Sequence, residues 1–279
     1  MTQIRDGKEL SDNTYSVAAA WLAFGLDASK TVFYRQSDVP ETAELSWYLS
    51  CYYPYQRLTL AHSFKDKADR LADVNAGLFV YPMLMAADIL LYDIDYVPVG
   101  KDQLQHLEMT RDVGSRFNHK QGDTFVIPKD LVQEETMLIP GRDGHKMSKS
   151  RDNIINIFLP EKQLKKQVNQ IVTDSTPLED PKNPETCNAF AIYNLLATDE
   201  MVNEMRKKYR DGGYGFGHVK RDIYELIVEK YKTQRTLYAE YMENRGELDK
   251  VLKEGAEKAR LTAREVLNRV RVKSGYLAR

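Results

Sequence analysis

The sequence predicts an α/β domain followed by an α-helical region. Helix, strand and helix patterns alternate over residues 8–51, a strand runs into a glycine turn and a helix at residues 95–112, and helical patterns dominate after Pro160. The 279 residues suffice for one large domain or two ordinary ones. With 42% apolar residues and no apolar run of about 18 residues, the composition predicts a folded soluble protein without a membrane span.

The first elements follow from the spacing of apolar side chains. Residues 8–24 repeat them at intervals of three and four, which predicts a helix that Gly25 ends. Residues 31–35 are rich in β-branched and aromatic side chains and predict a short strand. Pro40 then opens a helix over residues 42–51.

The most apolar stretch, residues 78–92, predicts a buried helix that Asp88 interrupts. Asp88 shares a helical face with Tyr81 and Met85, and a buried carboxylate is costly unless a donor satisfies it. Apolar walls with a single acceptor suit a flat ligand that carries one N–H. From the helix alone, an Asp on the helix surface or one satisfied by a backbone amide is the favoured interpretation.

Residues 95–100 predict a strand that ends at Gly100, where residues 101–112 begin a helix. Open α/β sheets bind ligands at such junctions, beyond the carboxyl ends of the strands. Asp102 lies at the start of the helix, where its carboxylate can take a ribose hydroxyl or cap the helix. His106 is interpreted as a structural hydrogen-bonding residue.

The C-terminal region is predicted to be helical and basic. Long amphipathic helices are predicted over residues 219–241 and 247–272. Residues 205–279 hold 19 basic and 11 acidic residues, whereas the rest of the chain holds 21 and 30. This asymmetry indicates either a polyanion partner or a Lys/Arg-rich helical surface that binds none. Cys51 and Cys187 lie far apart, which predicts a reducing compartment and no zinc site.

The most specific motif is Lys146-Met147-Ser148-Lys149-Ser150, which follows a turn-rich segment. Two lysines three residues apart, with hydroxyl side chains beside them, can hold a polyphosphate and stabilise charge on a leaving pyrophosphate. A short K-x-x-K alone is most often a solvated loop. The complete pentapeptide is identical to the KMSKS signature of the class I aminoacyl-tRNA synthetases, which activate amino acids with ATP and load them onto tRNA.

Further blocks narrow the resemblance to the bacterial tryptophanyl-tRNA synthetases, which belong to class Ic. The matching blocks lie at residues 75–78, 81–82, 84–92, 97–100 and 102–112, with shorter ones at 64–67, 172–175, 213–215 and 254–259. The resemblance implies a Rossmann-like parallel sheet in a catalytic domain at residues 1–154. It also implies a helical anticodon-recognition domain at residues 155–265, and a last helix end at residues 266–279 that returns to the first domain.

The resemblance implies roles for particular residues. Asp88 is implied to accept the indole N–H of tryptophan, which reverses the interpretation favoured above. The implied pocket walls are Tyr81, Met85, Ile89, Val97 and Val99, with Gln103 near the amino group. The implied ATP contacts are Gly100 and Asp102 at the ribose, Met137, Leu138 and Ile139 at the adenine, and Lys146, Ser148 and Lys149 at the pyrophosphate, with Lys67 as a further phosphate contact. Lys101, Gln103, Met147 and Ser150 are implied to contact ATP as well.

The implied function is ATP-dependent activation of L-tryptophan and its transfer to tRNA(Trp) by a cytoplasmic homodimer. Lys146, Ser148 and Lys149 are the implied catalytic residues, and Mg²⁺ would bind through the ATP phosphates without a protein metal site. Residues 86–90 disfavour the tyrosyl counterpart. A truncated, non-catalytic paralogue or fragment that binds tRNA or a protein partner is the alternative.

One departure from the family pattern concerns its phosphate-binding histidine motif. None of the five histidines lies in an H-x-G-H-like pattern. Counting back from the matching blocks, we expect that roughly the first 45 to 60 residues of the family's domain are absent. The chain as numbered is therefore expected to be inactive in isolation.

Overall fold

The computed structural model of the chain describes residues 6–61, 74–132 and 139–276. Contacts divide the chain into two compact units. Unit 1 comprises Met1–Ala18, Gly25–Thr136 and Asn244–Arg279, and unit 2 comprises Ala19–Phe24 and Met137–Glu243. The predicted catalytic and anticodon-recognition domains are defined by what they bind and not by contacts. Their boundaries therefore stay a prediction.

The regular elements are mostly helical. In chain order they are α1 (Gly7–Ala23), α2 (Glu41–Tyr52), α3 (Tyr55–Leu58), α4 (Ala76–Leu90), β1 (Tyr96–Val99), α5 (Leu104–Gln121), β2 (Lys129–Val132), α6 (Glu161–Asn169), α7 (Asn188–Asn194), α8 (Asp199–Asp211), α9 (Phe216–Lys230), α10 (Lys232–Glu243) and α11 (Arg245–Lys273). The two strands pair in parallel, with Tyr96 opposite Lys129 and Val99 opposite Val132. The predicted α/β class is confirmed. No helix within the described ranges is both long and apolar enough to cross a membrane.

The core of unit 1 lies where α2, α4, α5 and α11 pack together. The predicted buried helix is confirmed as α4, in which Met83, Ala86 and Ala87 are fully buried. Asn75 caps α4, because its side-chain oxygen accepts the N–H of Leu78 at 3.1 Å. These contacts fix the helix that carries several of the residues predicted to bind tryptophan.

The strand predicted over residues 31–35 is wrong. The segment has no regular secondary structure and pairs with no strand among the described residues, and only Arg35 at its end has a backbone shown to be extended. Its carbonyl at Phe33 instead packs on Gly255 of α11, so closely that a methyl group at Gly255 would overlap the Phe33 carbonyl oxygen. The β-branched and aromatic side chains predicted the strand, but they carried no information about a pairing partner.

Part of the basic charge near the C-terminus is neutralised within unit 1. Five arginines of α11 bind carboxylates of this unit: Arg245 binds Asp12 at 2.7 Å, Arg260 and Arg264 bind Glu41 at 3.0 and 3.2 Å, Arg269 binds Asp93 at 2.6 Å, and Arg271 binds Glu44 at 2.7 Å. The charge count therefore overstates the positive surface that α11 presents to a polyanion.

Unit 2 is a helical cluster whose core includes Leu164, Phe190, Tyr209 and Ile223. The single helix predicted over residues 219–241 is wrong in one respect, because the structure has two helices that meet at Tyr231. The guanidinium of Arg235, in the first turn of α10, donates to the carbonyls of Ile157 and Leu159. These tertiary contacts set the direction of α10 and override the continuous amphipathic pattern.

Candidate functional site

Four of the five predicted pocket walls lie in one apolar cluster of unit 1. Met85 and Ile89 are four residues apart on α4 and therefore share a helical face. Val97 and Val99 are two residues apart on β1 and therefore share a face of the strand. The fifth, Tyr81, is partly exposed, and its ring lies edge-on to that of His106 at 5.9 Å between centroids.

Asp88 is half-buried beside this cluster, and its donor is a side chain from a distant segment. The side-chain Nε2 of Gln36 donates to Oδ2 of Asp88 at 2.6 Å. Burial raises the pKa of Asp88, and the hydrogen bond from Gln36 opposes that rise. Sequence reasoning missed Gln36, because a pair 52 residues apart leaves no local signal.

The junction between β1 and α5 is compact. A 3-10 turn over Lys101–Gln103 precedes α5, so the predicted helix begins as a tighter turn. A Cβ atom at Gly100 would lie 2.8 Å from Oδ1 of Asp102, so a side chain there would have to displace the exposed Asp102 carboxylate. The Asp102 carboxylate is exposed and accepts the side-chain amide of Gln103 at 3.0 Å, and it makes no capping bond to the helix.

The lysine motif forms an ordered loop in unit 2, which we call the lysine loop (residues 139–153). Pro140 pairs with Lys146 in an antiparallel bridge, and the N–H of Met147 donates to the carbonyl of Ile139 at 2.8 Å. Lys146 and Lys149 are both exposed. Neither ammonium group makes an ion pair with a carboxylate in the part of the chain that the structure describes.

Asn153 organises the lysine loop from inside and exposes only 3% of its surface. Its Nδ2 donates to Oδ1 of Asp143 at 2.7 Å and to the carbonyl of Lys146 at 3.0 Å, while its Oδ1 accepts the N–H of Ser148 at 2.7 Å. The bond from Asn153 lowers the pKa of Asp143. A side chain at Gly141 would overlap the Asn153 amide. Sequence reasoning missed Asn153, although it lies only three residues after the motif.

Of the remaining residues predicted to contact ATP, some lie in unit 2 and others lie outside the described residues. Ile139 and Met147 help to line an apolar cavity of about 350 Å³ within unit 2. The backbone of Ser150 lies in the 3-10 turn Lys149–Arg151. Lys67, Met137 and Leu138 lie outside the described residues. Within the described ranges, no three His, Cys, Asp or Glu side chains are grouped so that they could hold a metal ion.

Comparisons with known proteins agree on one family. The family model described as tRNA synthetases class I (W and Y) matches residues 2–232. The tryptophan–tRNA ligase of Campylobacter jejuni strain RM1221 is 46% identical over 275 residues, which cover 99% of this chain and 86% of that protein. The Fusobacterium nucleatum tryptophan–tRNA ligase is 45% identical over 272 residues, 97% of this chain and 83% of that protein.

Solved structures give the same result. The crystal structure of Campylobacter jejuni tryptophanyl-tRNA synthetase complexed with ADP and tryptophan matches with a TM-score of 0.94 at 46% identity, covering 99% of this chain and 86% of that one. A second structure of the Campylobacter jejuni enzyme matches with a TM-score of 0.89.

Proposed function

Because this chain belongs to the class I tRNA synthetases of the W and Y family, we propose that the full-length protein activates L-tryptophan with ATP and transfers it to tRNA(Trp). The observation that carries the choice of amino acid is Asp88. This half-buried carboxylate lies beside an apolar cluster, and its Oδ1 accepts no hydrogen bond from the described residues. It is therefore ready to accept a single N–H from a flat apolar ligand.

In this proposal the indole ring packs on Met85, Ile89, Val97 and Val99, with Tyr81 completing the wall. Oδ1 of Asp88 accepts the indole N–H, and the Gln103 side chain lies near the amino group of the substrate. An analogue that lacks the N–H leaves the carboxylate desolvated and unpaired. Such a penalty rejects near-analogues without a second editing site.

ATP binding rests on three groups of residues in this proposal. Gly100, Lys101 and Asp102 form the ribose site, where the missing Cβ lets the nucleotide approach the backbone and the exposed carboxylate accepts ribose hydroxyls. Ile139 and Met147 contribute apolar surface for adenine, together with Met137 and Leu138 of the same stretch. Lys146, Ser148, Lys149 and Ser150 bind the phosphates, with Lys67 as a further contact.

Mg²⁺ fits this scheme as an ion carried by the nucleotide. Magnesium prefers oxygen ligands and is commonly bound through substrate phosphates and water. We therefore propose that phosphate oxygens of ATP hold the ion, and that the lysine loop neutralises the charge that remains.

The proposed chemistry needs no nucleophilic side chain. A carboxylate oxygen of tryptophan attacks the α-phosphorus in line, and the bond to pyrophosphate breaks, so that the electron pair leaves on pyrophosphate. Lys146 and Lys149 stabilise that charge, and their ammonium groups are available because no carboxylate of the described residues binds them. A terminal ribose hydroxyl of the tRNA then attacks the carbonyl carbon of the adenylate and releases AMP.

A homodimer formed through unit 1 is part of the proposal. Trp47 of α2 is 69% exposed and Tyr55 of α3 is 66% exposed. Large exposed aromatic side chains on consecutive helices are typical of a surface that a partner covers.

Tryptophan-dependent ATP–pyrophosphate exchange by the purified full-length protein tests the proposed function. We expect exchange with tryptophan and none above background with tyrosine or phenylalanine. Asp88→Asn should weaken tryptophan binding by about ten- to a hundredfold, because an amide is a poorer acceptor than a carboxylate. Exchange with tyrosine at the rate seen with tryptophan would contradict the proposal.

A further inference from the structure

A segment of unit 1, residues 31–39, contains the 3-10 turn Gln36–Asp38 and reaches Asp88 from outside α4. We call this segment the strap. Its residue Gln36 is exposed, yet its side-chain Nε2 donates to Oδ2 of Asp88 at 2.6 Å. The other carboxylate oxygen, Oδ1, accepts no hydrogen bond from the described residues. The strap therefore uses one oxygen of Asp88 and leaves the other open.

We propose that Gln36 is a specificity-determining positioning residue, which holds Oδ2 of Asp88 so that Oδ1 meets the indole N–H of the substrate. This inference rests on the proposed function, because it concerns the carboxylate assigned there. The χ2 torsion of an aspartate is broad, so an unheld carboxylate presents its oxygens over a range of directions. One hydrogen bond to Oδ2 fixes the plane of the carboxylate and hence the direction of Oδ1.

The strap is anchored on both sides of Gln36. Before it, Arg35 donates to Asp38 at 2.9 Å and to Asp249 of α11 at 2.7 Å. After it, Val39 is buried and donates its N–H to the carbonyl of Gln36 at 3.0 Å. Because the backbone is held at these points, the Gln36 amide has a fixed origin from which to position Asp88.

Two contacts further up the strap add to this anchoring. The carbonyl of Phe33 lies against Gly255, where only a residue without a side chain fits. The ring of Tyr34 lies 6.0 Å from that of Tyr92, just beyond α4. The long C-terminal helix α11 thus holds the strap in place, and the strap carries the Gln36 side chain that bonds to Asp88.

The chemistry of the donor suits this role. A side-chain amide leaves the carboxylate its full negative charge, whereas Lys or Arg at this position would neutralise it. Tyr34 and Tyr92 also interact with the Asp88 charge, and burial raises the pKa of both phenols, so both stay neutral. The other elements around the cluster contribute apolar side chains from β1 and, from α5, the His106 ring that contacts Tyr81.

The test compares tryptophan with 3-benzothienylalanine, in which sulfur replaces the indole N–H, by equilibrium binding to the full-length protein. Gln36→Met keeps a side chain of similar length but removes the donor. We expect tryptophan to bind about tenfold more weakly to this variant while the analogue binds as before, so that discrimination falls by the same factor. Gln56→Met, on an exposed residue of α3, is the matched control and should behave as the wild type.

The pH profile separates positioning from a structural role. Binding should weaken as the pH falls through the raised pKa of Asp88, because a protonated carboxyl is a poorer acceptor. Without the Gln36 bond that pKa rises further, so in Gln36→Met the acid limb should move to higher pH. In Gln36→Glu the direction in which tryptophan binding changes with pH should reverse. At low pH the protonated carboxyl replaces the amide donor, and at high pH two carboxylates repel each other, so binding should weaken as the pH rises.

The outcomes distinguish this inference from the proposed function. If the wild type does not discriminate, or if Asp88→Asn leaves discrimination intact, the proposed function fails. If Asp88→Asn abolishes discrimination but Gln36→Met keeps both the wild-type discrimination and the wild-type acid limb, the role of Gln36 is overturned and the proposed function stands. A wild-type pH profile in Gln36→Glu overturns it as well, because the reversed sign requires contact with Asp88.

Discussion

Asn153→Ala should slow pyrophosphate exchange without weakening tryptophan binding. The Asn153 side chain makes two hydrogen bonds to the backbone of the lysine loop, at Lys146 and Ser148, and a third to the Asp143 carboxylate. All three end within the loop, and Asp88 lies in the other unit. The substitution should therefore disturb the phosphate-binding residues and leave the amino acid pocket intact.

The size of the effect follows from the two backbone bonds. Each neutral hydrogen bond contributes about 0.5–1.5 kcal/mol, so their loss destabilises the ordered loop by about 1–3 kcal/mol. The bond to Asp143 is left out, because that carboxylate is exposed and water replaces the amide. We therefore expect the exchange rate to fall by roughly five- to a hundredfold.

The assay measures exchange, tryptophan affinity and tryptic cleavage after Lys146 and Lys149 under native conditions. Loosening of the loop should speed that cleavage, since local opening exposes the backbone to the protease. Asn203→Ala, on the exposed surface of α8, is the matched control. Wild-type exchange and cleavage rates in Asn153→Ala would refute the reasoning. So would a loss of tryptophan affinity equal to the loss of exchange.

Three further predictions concern the lysine loop, the strap and assembly. Lys149→Ala should lower the exchange rate about a hundredfold with little change in tryptophan affinity. Lys162→Ala on α6 is the control and should change neither quantity. Equal losses of exchange rate and tryptophan affinity in Lys149→Ala would mean that Lys149 only supports the fold. Gly255→Ala should destabilise the protein by about 1–3 kcal/mol in thermal unfolding and weaken tryptophan binding, because its methyl group displaces the strap. In Gly246→Ala, in the same helix, the methyl group meets no atom closer than 3.7 Å, so this control should have neither effect. Sedimentation at micromolar concentration should show a dimer, and a well-folded monomer there would contradict the homodimer.

Local sequence patterns predicted most of the helices. The spacing of three and four residues placed Met85 on the helical face of Tyr81 and Asp88, whereas Ile89, Val97 and Val99 entered the pocket only through the resemblance. The shared helical face depends only on helical geometry, so it can be read from a short window. The roles of these residues came from the resemblance to a family and not from the spacing.

Long-range contacts could not be predicted from local patterns. Gln36 meets Asp88 across 52 residues, and Phe33 meets Gly255 across an even longer stretch of chain. The segment just before Gln36, residues 31–35, was predicted to be a strand, and the 3-10 turn that carries Gln36 was not predicted. Asn153 is close to its motif, but a buried asparagine that bonds to a loop backbone has no distinctive spacing.

The charge of the C-terminal region shows the same limit. A count of residues gives α11 an excess of positive charge, yet five of its arginines bind carboxylates of unit 1. Net charge reports what a region carries and not what its neighbours neutralise. A mutational search for tRNA contacts should therefore begin with basic residues that lack such partners.

Aminoacylation of tRNA(Trp) by the full-length protein tests the central claim most directly. The measurement follows labelled tryptophan and labelled tyrosine into acid-precipitable tRNA in the presence of ATP, for the wild type and for Asp88→Asn. We predict ATP-dependent charging with tryptophan, none with tyrosine, and a strong reduction of tryptophan charging in Asp88→Asn. Equal charging with tyrosine, or full tryptophan charging by Asp88→Asn, would contradict the account.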